Sequence, residues 1–128
     1  IVRAAKHQRL EIPKVNHFQA IPGQGIRGEV NGDRIWLGNR RLFREQGYPI
    51  EKETEDLLTR LESDGKTAML VGCNSLLIGI VAVADTLKPE AKEAIAALRR
   101  EQVKAVLLTG DNRRTAEAIA RQLGIERV

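Results

Sequence analysis

The sequence predicts a protein of the α/β class, in which an antiparallel sheet with flanking helices is followed by a partial parallel αβα unit. Residues 14–84 contain strand-like segments joined by short turns, which favours antiparallel hairpins. Pro89 then opens a segment with helical apolar spacing. The run from Val103 to Leu108 is apolar except for Lys104, which is typical of a buried parallel strand.

Turn residues and apolar spacing predict the elements of the first part. Asn31-Gly32-Asp33 predicts a hairpin turn, and Gly47 closes a short helix that begins after Gly38-Asn39. Asp64-Gly65 ends a longer amphipathic helix whose inward side chains are Leu57, Leu58 and Leu61. The predicted order is a helix end at 1–10, strands at 14–21, 26–31 and around 35–37, helices at 40–46 and 51–63, and strands at 67–72 and 76–84.

The second part is organised around the TGDN turn, Thr109-Gly110-Asp111-Asn112. A helix over 112–123 follows, with Asp111 or Asn112 as its N-cap and Gly124 just beyond its end. The N–H groups and dipole of such a helix attract anions, Thr109 adds a hydroxyl donor, and Asp111 could orient a metal or a water. An ordinary capped strand–helix turn contains the same residue types, so the turn alone leaves both interpretations open.

A glycine-rich segment, Pro22 to Gly28, separates the first two predicted strands. Its glycines match the GxGxxG string, but that fingerprint requires a turn that opens a helix, so we reject a dinucleotide-binding Rossmann site. The glycines either mark a turn or bulge, or they allow a flat ligand to approach the main chain. Phe18 and Trp36 lie at alternating strand positions, which favours packing on the sheet over stacking on a base.

Composition excludes several classes of function. The net charge is +4, but the basic residues are spread along the chain and aromatic residues make up 3%, which argues against nucleic-acid binding. Cys73 is the one cysteine, and His7 and His17 are isolated, so we expect no disulfide and no metal-binding site. No apolar segment reaches the roughly 18 residues that span a bilayer, and we expect the chain itself to be soluble.

The string TGDNRRTAEAIARQLGI, from Thr109 to Ile125, resembles the phosphorylation-domain motif of P-type ATPases, particularly the heavy-metal (copper, zinc, cadmium) transporters. Three other stretches match the same family in the same order, which makes coincidence a poor explanation. They are PGQGI at 22–26 with Gly38-Asn39, DGKTAM at 64–69, and DTLKPEAKEAI at 85–95.

The resemblance implies an N-terminally truncated nucleotide-binding domain at 1–84 and part of a haloacid-dehalogenase-like phosphorylation domain at 85–128. It implies ATP and Mg²⁺ as cofactors and no resident transition-metal site. For Lys66, contact with phosphate and ordinary solvation both stay open. By the family pattern, the adenine side of the ATP pocket is lined by Gly23, Gly25 and Ile26, and Gly38 and Asn39 lie beside it. The same pattern implies that Asp85 lies at the interdomain hinge near the phosphates. It implies that the phosphorylation site is supported by Thr109, Gly110 and Asp111.

The resemblance also implies a parent transporter that couples ATP hydrolysis, through an aspartyl-phosphate, to transition-metal export. The 128 residues contain no DKTG, GDGxND or Ser-Glu-His-Pro string. We therefore expect a piece of the cytoplasmic face of such a membrane protein, inactive alone, whose partners are ATP and the remaining phosphorylation, actuator and membrane domains. A fragment of a haloacid-dehalogenase-like phosphatase and a non-catalytic nucleotide-binding regulatory module are the alternatives.

Overall fold

The computed structural model describes residues 1–84, 87–110 and 112–128, which fall into two compact units. The first unit comprises Ile1–Thr54 and Ala68–Val81, and the second comprises Glu55–Thr67 and the described part of Ala82–Val128. The elements are α1 (Val2–His7), β1 (Asn16–Ile21), β2 (Gly25–Val30), β3 (Asp33–Gly38), α2 (Arg40–Glu45), α3 (Lys52–Ser63), β4 (Thr67–Cys73), β5 (Leu76–Val83), α4 (Pro89–Arg100) and α5 (Arg113–Leu123).

The five strands form one sheet in the order β1-β2-β3-β4-β5, and the β1–β2, β2–β3 and β3–β4 pairs are antiparallel. The β2–β3 hairpin closes on the pair Val30 and Asp33, and both intervening residues, Asn31 and Gly32, have positive φ. Two positive φ values match the twist of a two-residue hairpin turn. The predicted α/β class, with its antiparallel sheet and flanking helices, is confirmed, as is this turn.

The core of the first unit lies where α2 and the segment after it cover one face of the sheet. Phe43 and Tyr48 are buried there, with ring centroids 4.9 Å apart. A Cβ on Gly72 would lie 2.9 Å from Phe43 and 3.1 Å from Tyr48, so the absence of a side chain in β4 makes room for this ring pair. Burial of each large apolar side chain contributes about 1.5–3 kcal/mol, which fixes α2 against the strands.

In the second unit, α5 packs through small residues, among them Ala116, Ala118 and Ala120, which are all buried. Gly65, just after α3, approaches the Ala118 side chain, where an added Cβ would lie 3.7 Å away. Gly124 ends α5 with φ +71, as predicted, and the Arg99 side chain of α4 donates a hydrogen bond to its carbonyl oxygen. A cation at this position also offsets the negative end of the helix dipole.

The predicted buried strand at 103–108 is wrong. The segment forms one parallel bridge, between Val106 and Arg127, and Leu108 is 96% exposed. A parallel strand is buried when strands flank it and helices cover both faces of the sheet, and the described residues supply only that bridge. The proposed domain boundary near residue 84 stays a prediction.

Candidate functional site

The predicted adenine-side residues come together where β2 begins and β3 ends. Gly25 pairs with Gly38, and Ile26 pairs with Leu37. A Cβ on Gly25 would lie 2.2 Å from the Leu37 carbonyl oxygen and 2.6 Å from the Gly38 Cα. A Cβ on Gly38 would lie 2.5 Å from the Gln24 carbonyl oxygen. Both glycines are therefore required by the close approach of two main-chain segments.

Asn39 joins these segments through both its main chain and its side chain. Its main-chain N–H donates to the Gln24 carbonyl oxygen at 2.8 Å, and its Nδ2 donates to the Gly23 carbonyl oxygen at 2.9 Å. Its Oδ1 accepts from the Leu42 N–H at 3.1 Å and so caps α2. We call residues 23–25 with Gly38 and Asn39 the glycine cradle.

The turn that leads into the cradle has the chemistry of a type II β-turn. Pro22 occupies its second position and Gly23 its third, and Gly23 has φ +69. The Gln24 N–H donates to the Ile21 carbonyl oxygen at 3.0 Å and closes the turn. Gly23 and Asn39 are exposed, whereas Ile26 is half-buried, so one side of the cradle faces solvent and the other faces the sheet.

The cradle is also tied to the end of α2. Gln24 Nε2 donates to Glu45 Oε2 at 3.1 Å, and Arg41 Nε lies 2.8 Å from Glu45 Oε1. The hydrogen bond from Arg41, and then that from Gln24, lowers the pKa of the Glu45 carboxyl below its ordinary value. Glu45 is therefore ionised at neutral pH and holds the Gln24 side chain against α2.

Lys66 belongs to the second unit. Its Nζ lies 3.7 Å from Asp64 Oδ2, and its side chain is partly exposed. Its main-chain carbonyl oxygen accepts a hydrogen bond from Thr115 Oγ1 of α5 at 3.0 Å. The side chain is thus a solvated cation in a loose ion pair, and its contact with phosphate stays a prediction.

Thr109 and Gly110 of the TGDN turn are exposed, and a Cβ on Gly110 would meet nothing within 4 Å. Asn112 is the N-cap of α5, since its Oδ1 accepts from the Thr115 N–H at 3.1 Å. Asp111 and Asp85, both predicted to belong to the site, lie outside the described residues. The roles of Thr109 and Gly110 at a phosphorylation site stay a prediction.

The inward face of α3 differs from the prediction, since Leu58 is buried but Leu57 is 38% exposed. Glu62, which was not among the predicted inward side chains, is buried and contacts the TGDN residue Asn112. Its position one helical turn after Leu58, on the same face, is the sequence signal that could have identified it. Trp36 is buried as predicted, with the Arg27 guanidinium 5.7 Å from its ring centroid, but Phe18 is 63% exposed.

Within residues 1–84, 87–110 and 112–128, no helix is long and apolar enough to cross a membrane. The same ranges contain no group of three or more His, Cys, Asp or Glu side chains that could hold a metal ion.

A family model described as haloacid dehalogenase-like hydrolase matches residues 1–128. The chain therefore belongs to the haloacid dehalogenase-like hydrolase family. Its curated relatives include copper-exporting P-type ATPases of Staphylococcus aureus, 45% identical in strain bovine RF122 / ET3-1 and 44% in strain JH9, each over 100% of this chain. The chain spans 16% of the length of these relatives.

Solved structures give the same relationship. A zinc-transporting PIB-type ATPase in the E2.Pi state matches with a TM-score of 0.67 and 39% identity, over 99% of this chain and 20% of that one. The catalytic domain of a CPx-ATPase matches with a TM-score of 0.59 over 98% of this chain and 41% of that one, and at 22% identity it supports the fold alone. The resemblance to heavy-metal P-type ATPases is therefore confirmed, and the chain is homologous to a region of these proteins.

Proposed function

We propose that this chain is an ATP-binding region of a heavy-metal-transporting P-type ATPase. The observation that carries the proposal is the glycine cradle, in which Gly25 and Gly38 bring two main-chain segments together and Asn39 bonds them to each other. At Gly23 the main chain of this turn is exposed, and an added Cβ would meet nothing within 4 Å. The homology to copper-exporting and zinc-transporting ATPases supports the same conclusion.

The cradle suits the adenine end of ATP on chemical grounds. A flat base can lie against the main chain at Gly23, because no Cβ projects into its path there. Ile26 supplies a half-buried apolar contact beside the cradle, and Asn39 supplies an exposed polar rim. Predominantly apolar contact with a few fixed polar groups is the usual composition of small-molecule sites.

In this proposal, the TGDN turn and Lys66 of the second unit bind phosphate. Thr109 and Gly110 lie just before the 11-residue helix α5, whose N-terminal dipole favours an anion. Lys66 would add a cation, and Asp85 and Asp111 would contribute carboxylates. Mg²⁺ in such sites usually takes one or two carboxylates and the substrate phosphates, so it would arrive with the nucleotide rather than in a dedicated metal cage.

In this proposal the parent couples ATP hydrolysis, through an aspartyl-phosphate, to export of a transition metal. Residues 1–84 are its nucleotide-binding domain and residues 85–128 are part of its phosphorylation domain. Its other phosphorylation, actuator and membrane segments are the partners of this chain, which works on the cytoplasmic face. Because the 128 residues contain no DKTG string, we expect no phosphoenzyme from this chain alone.

Isothermal titration calorimetry of the chain with MgATP, adenosine and inorganic phosphate tests the proposal. We expect saturable binding of MgATP and weaker but measurable binding of adenosine. Asn39→Asp preserves the α2 cap while removing the Nδ2 donor to Gly23, and it should weaken binding of both MgATP and adenosine. Binding of phosphate without any binding of adenosine would overturn the adenine assignment and favour a phosphatase-like site.

A further inference from the structure

Glu62 is a buried carboxylate outside every motif of the proposed nucleotide site. It is 2% exposed, and it lies in the last turn of α3. A buried charge is costly unless polar partners compensate it. Glu62 Oε1 lies 3.3 Å from Asn112 Nδ2, and its Oε2 lies 3.4 Å from Arg114 Nη1.

Both the oxygen and the nitrogen of the Asn112 side-chain amide therefore make hydrogen bonds. Its oxygen accepts from the Thr115 N–H at 3.1 Å, and its nitrogen donates to Glu62. An amide whose oxygen and nitrogen are both engaged has one favourable orientation. Glu62 therefore fixes the cap of α5, two residues after Gly110.

A second bond ties the same helical turn to the DGKT stretch. Thr115, which is 1% exposed, donates through Oγ1 to the Lys66 carbonyl oxygen at 3.0 Å. Glu62 and Lys66 thus hold the first turn of α5 from two points, the end of α3 and the residue just before β4. Within one compact unit, Glu62 bonds to the TGDN residue Asn112, and the DGKT residue Lys66 bonds to Thr115 of α5.

We propose that Glu62 is a positioning residue for the TGDN turn, holding Asn112 so that Thr109 and Gly110 keep an anion-binding arrangement. This inference rests on the proposed function, because it assumes that the turn receives phosphate. Glu62 is not a ligand-binding group itself. Its negative charge, offset by Arg114, would repel an anion rather than attract it.

Because the negative charge of Glu62 would repel phosphate, the effect of that charge can be distinguished from the effect of the hydrogen bond to Asn112. Glu62→Ala and Glu62→Gln remove the same charge, and charge loss alone should strengthen phosphate binding equally in both. Only Glu62→Gln retains an oxygen that can accept from Asn112. The difference between the two variants therefore reports the hydrogen bond and not the charge.

The test follows the Thr109 and Gly110 amides by NMR while the chain is titrated with inorganic phosphate and, separately, with MgATP. We expect Glu62→Ala to weaken phosphate binding at the turn by roughly three- to tenfold relative to Glu62→Gln, the effect of one lost hydrogen bond between neutral groups. Amide exchange at Thr115 should accelerate in Glu62→Ala by a similar factor. Leu58→Val, which trims the same buried face of α3 and leaves the carboxylate in place, is the control for loss of packing.

Equal phosphate affinity in Glu62→Ala and Glu62→Gln would overturn the positioning role of Glu62 while leaving the proposed function standing. Equal weakening by Leu58→Val would also overturn it, since general loosening of α3 would then explain the effect. A wild-type chain whose turn ignores both phosphate and MgATP would contradict the phosphate part of the proposed function, and this inference with it.

Discussion

Substitution of Gly25 by alanine is the sharpest perturbation of the glycine cradle. The added Cβ would lie 2.2 Å from the Leu37 carbonyl oxygen and 2.6 Å from the Gly38 Cα, whereas ordinary van der Waals contact begins near 3.4 Å. Both obstacles are main-chain atoms, so no side chain can rotate away and the β2–β3 pair must separate by about 1 Å. Overpacking of this kind costs about 1–3 kcal/mol, and we expect Gly25→Ala in the upper half of that range.

Urea unfolding followed by Trp36 fluorescence measures this cost, because the chain has one tryptophan and it is buried in β3 next to Leu37. The urea concentration at the midpoint of unfolding should fall, while the slope of the unfolding free energy against urea concentration stays constant. Gly79→Ala is the matched control in β5, since its Cβ would meet nothing within 4 Å. That variant should be neutral or about 0.4–1 kcal/mol more stable. Equal stability of the two variants would refute the argument that the cradle requires glycine.

Three further predictions concern the surroundings of the cradle. Asn39→Asp should retain stability to within about 1 kcal/mol, because aspartate also caps helices, yet weaken nucleotide binding in calorimetry through loss of the bond to Gly23. Tyr48→Phe should destabilise the chain by about 0.5–1.5 kcal/mol in urea, because the buried hydroxyl donates to a main-chain carbonyl. Arg41→Ala should raise the pKa of the Glu45 carboxyl toward its ordinary value, as measured by carbon NMR, because the Arg41 hydrogen bond is the main cause of its lowering.

Tyr48 and Glu45 should make the stability of the chain depend on pH in opposite directions. Burial raises the pKa of the Tyr48 hydroxyl in the folded chain, so its contribution to stability is present below about pH 10 and is lost as pH rises further. Tyr48→Phe should remove that alkaline loss. The lowered pKa of Glu45 gives a contribution that is present at neutral pH and is lost as pH falls through the folded value. An alkaline loss that persists in Tyr48→Phe, or a Glu45 pKa that Arg41→Ala leaves unchanged, would contradict these assignments.

Local chemistry predicted several turns and helix ends. The Asn31-Gly32 turn, the Asn39 cap of α2 and the Gly124 end of α5 each depend on a few neighbouring residues with special backbone or hydrogen-bonding properties. Such local signals do not depend on which other parts of the chain pack against the element. Proximity of Gly25 to Gly38 followed from the hairpin, because its turn fixes the register of the strands.

Burial was harder to predict because it depends on what covers a residue. Leu108 ends an apolar run that resembles a core strand, yet it is 96% exposed because no described strand flanks it. Glu62 shows the converse, a charged residue that lies in the interior because Asn112 and Arg114 compensate it. Residue type alone predicts neither outcome.

An amide NMR map of MgATP binding to the wild-type chain tests the proposed nucleotide site most directly. We expect saturable shifts at Gly23, Gly25, Ile26, Gly38 and Asn39. A response restricted to Thr109 and Gly110 would contradict the cradle as the adenine site and leave a simple anion-binding turn. Absence of any response at millimolar MgATP would contradict the proposal that this chain binds nucleotide.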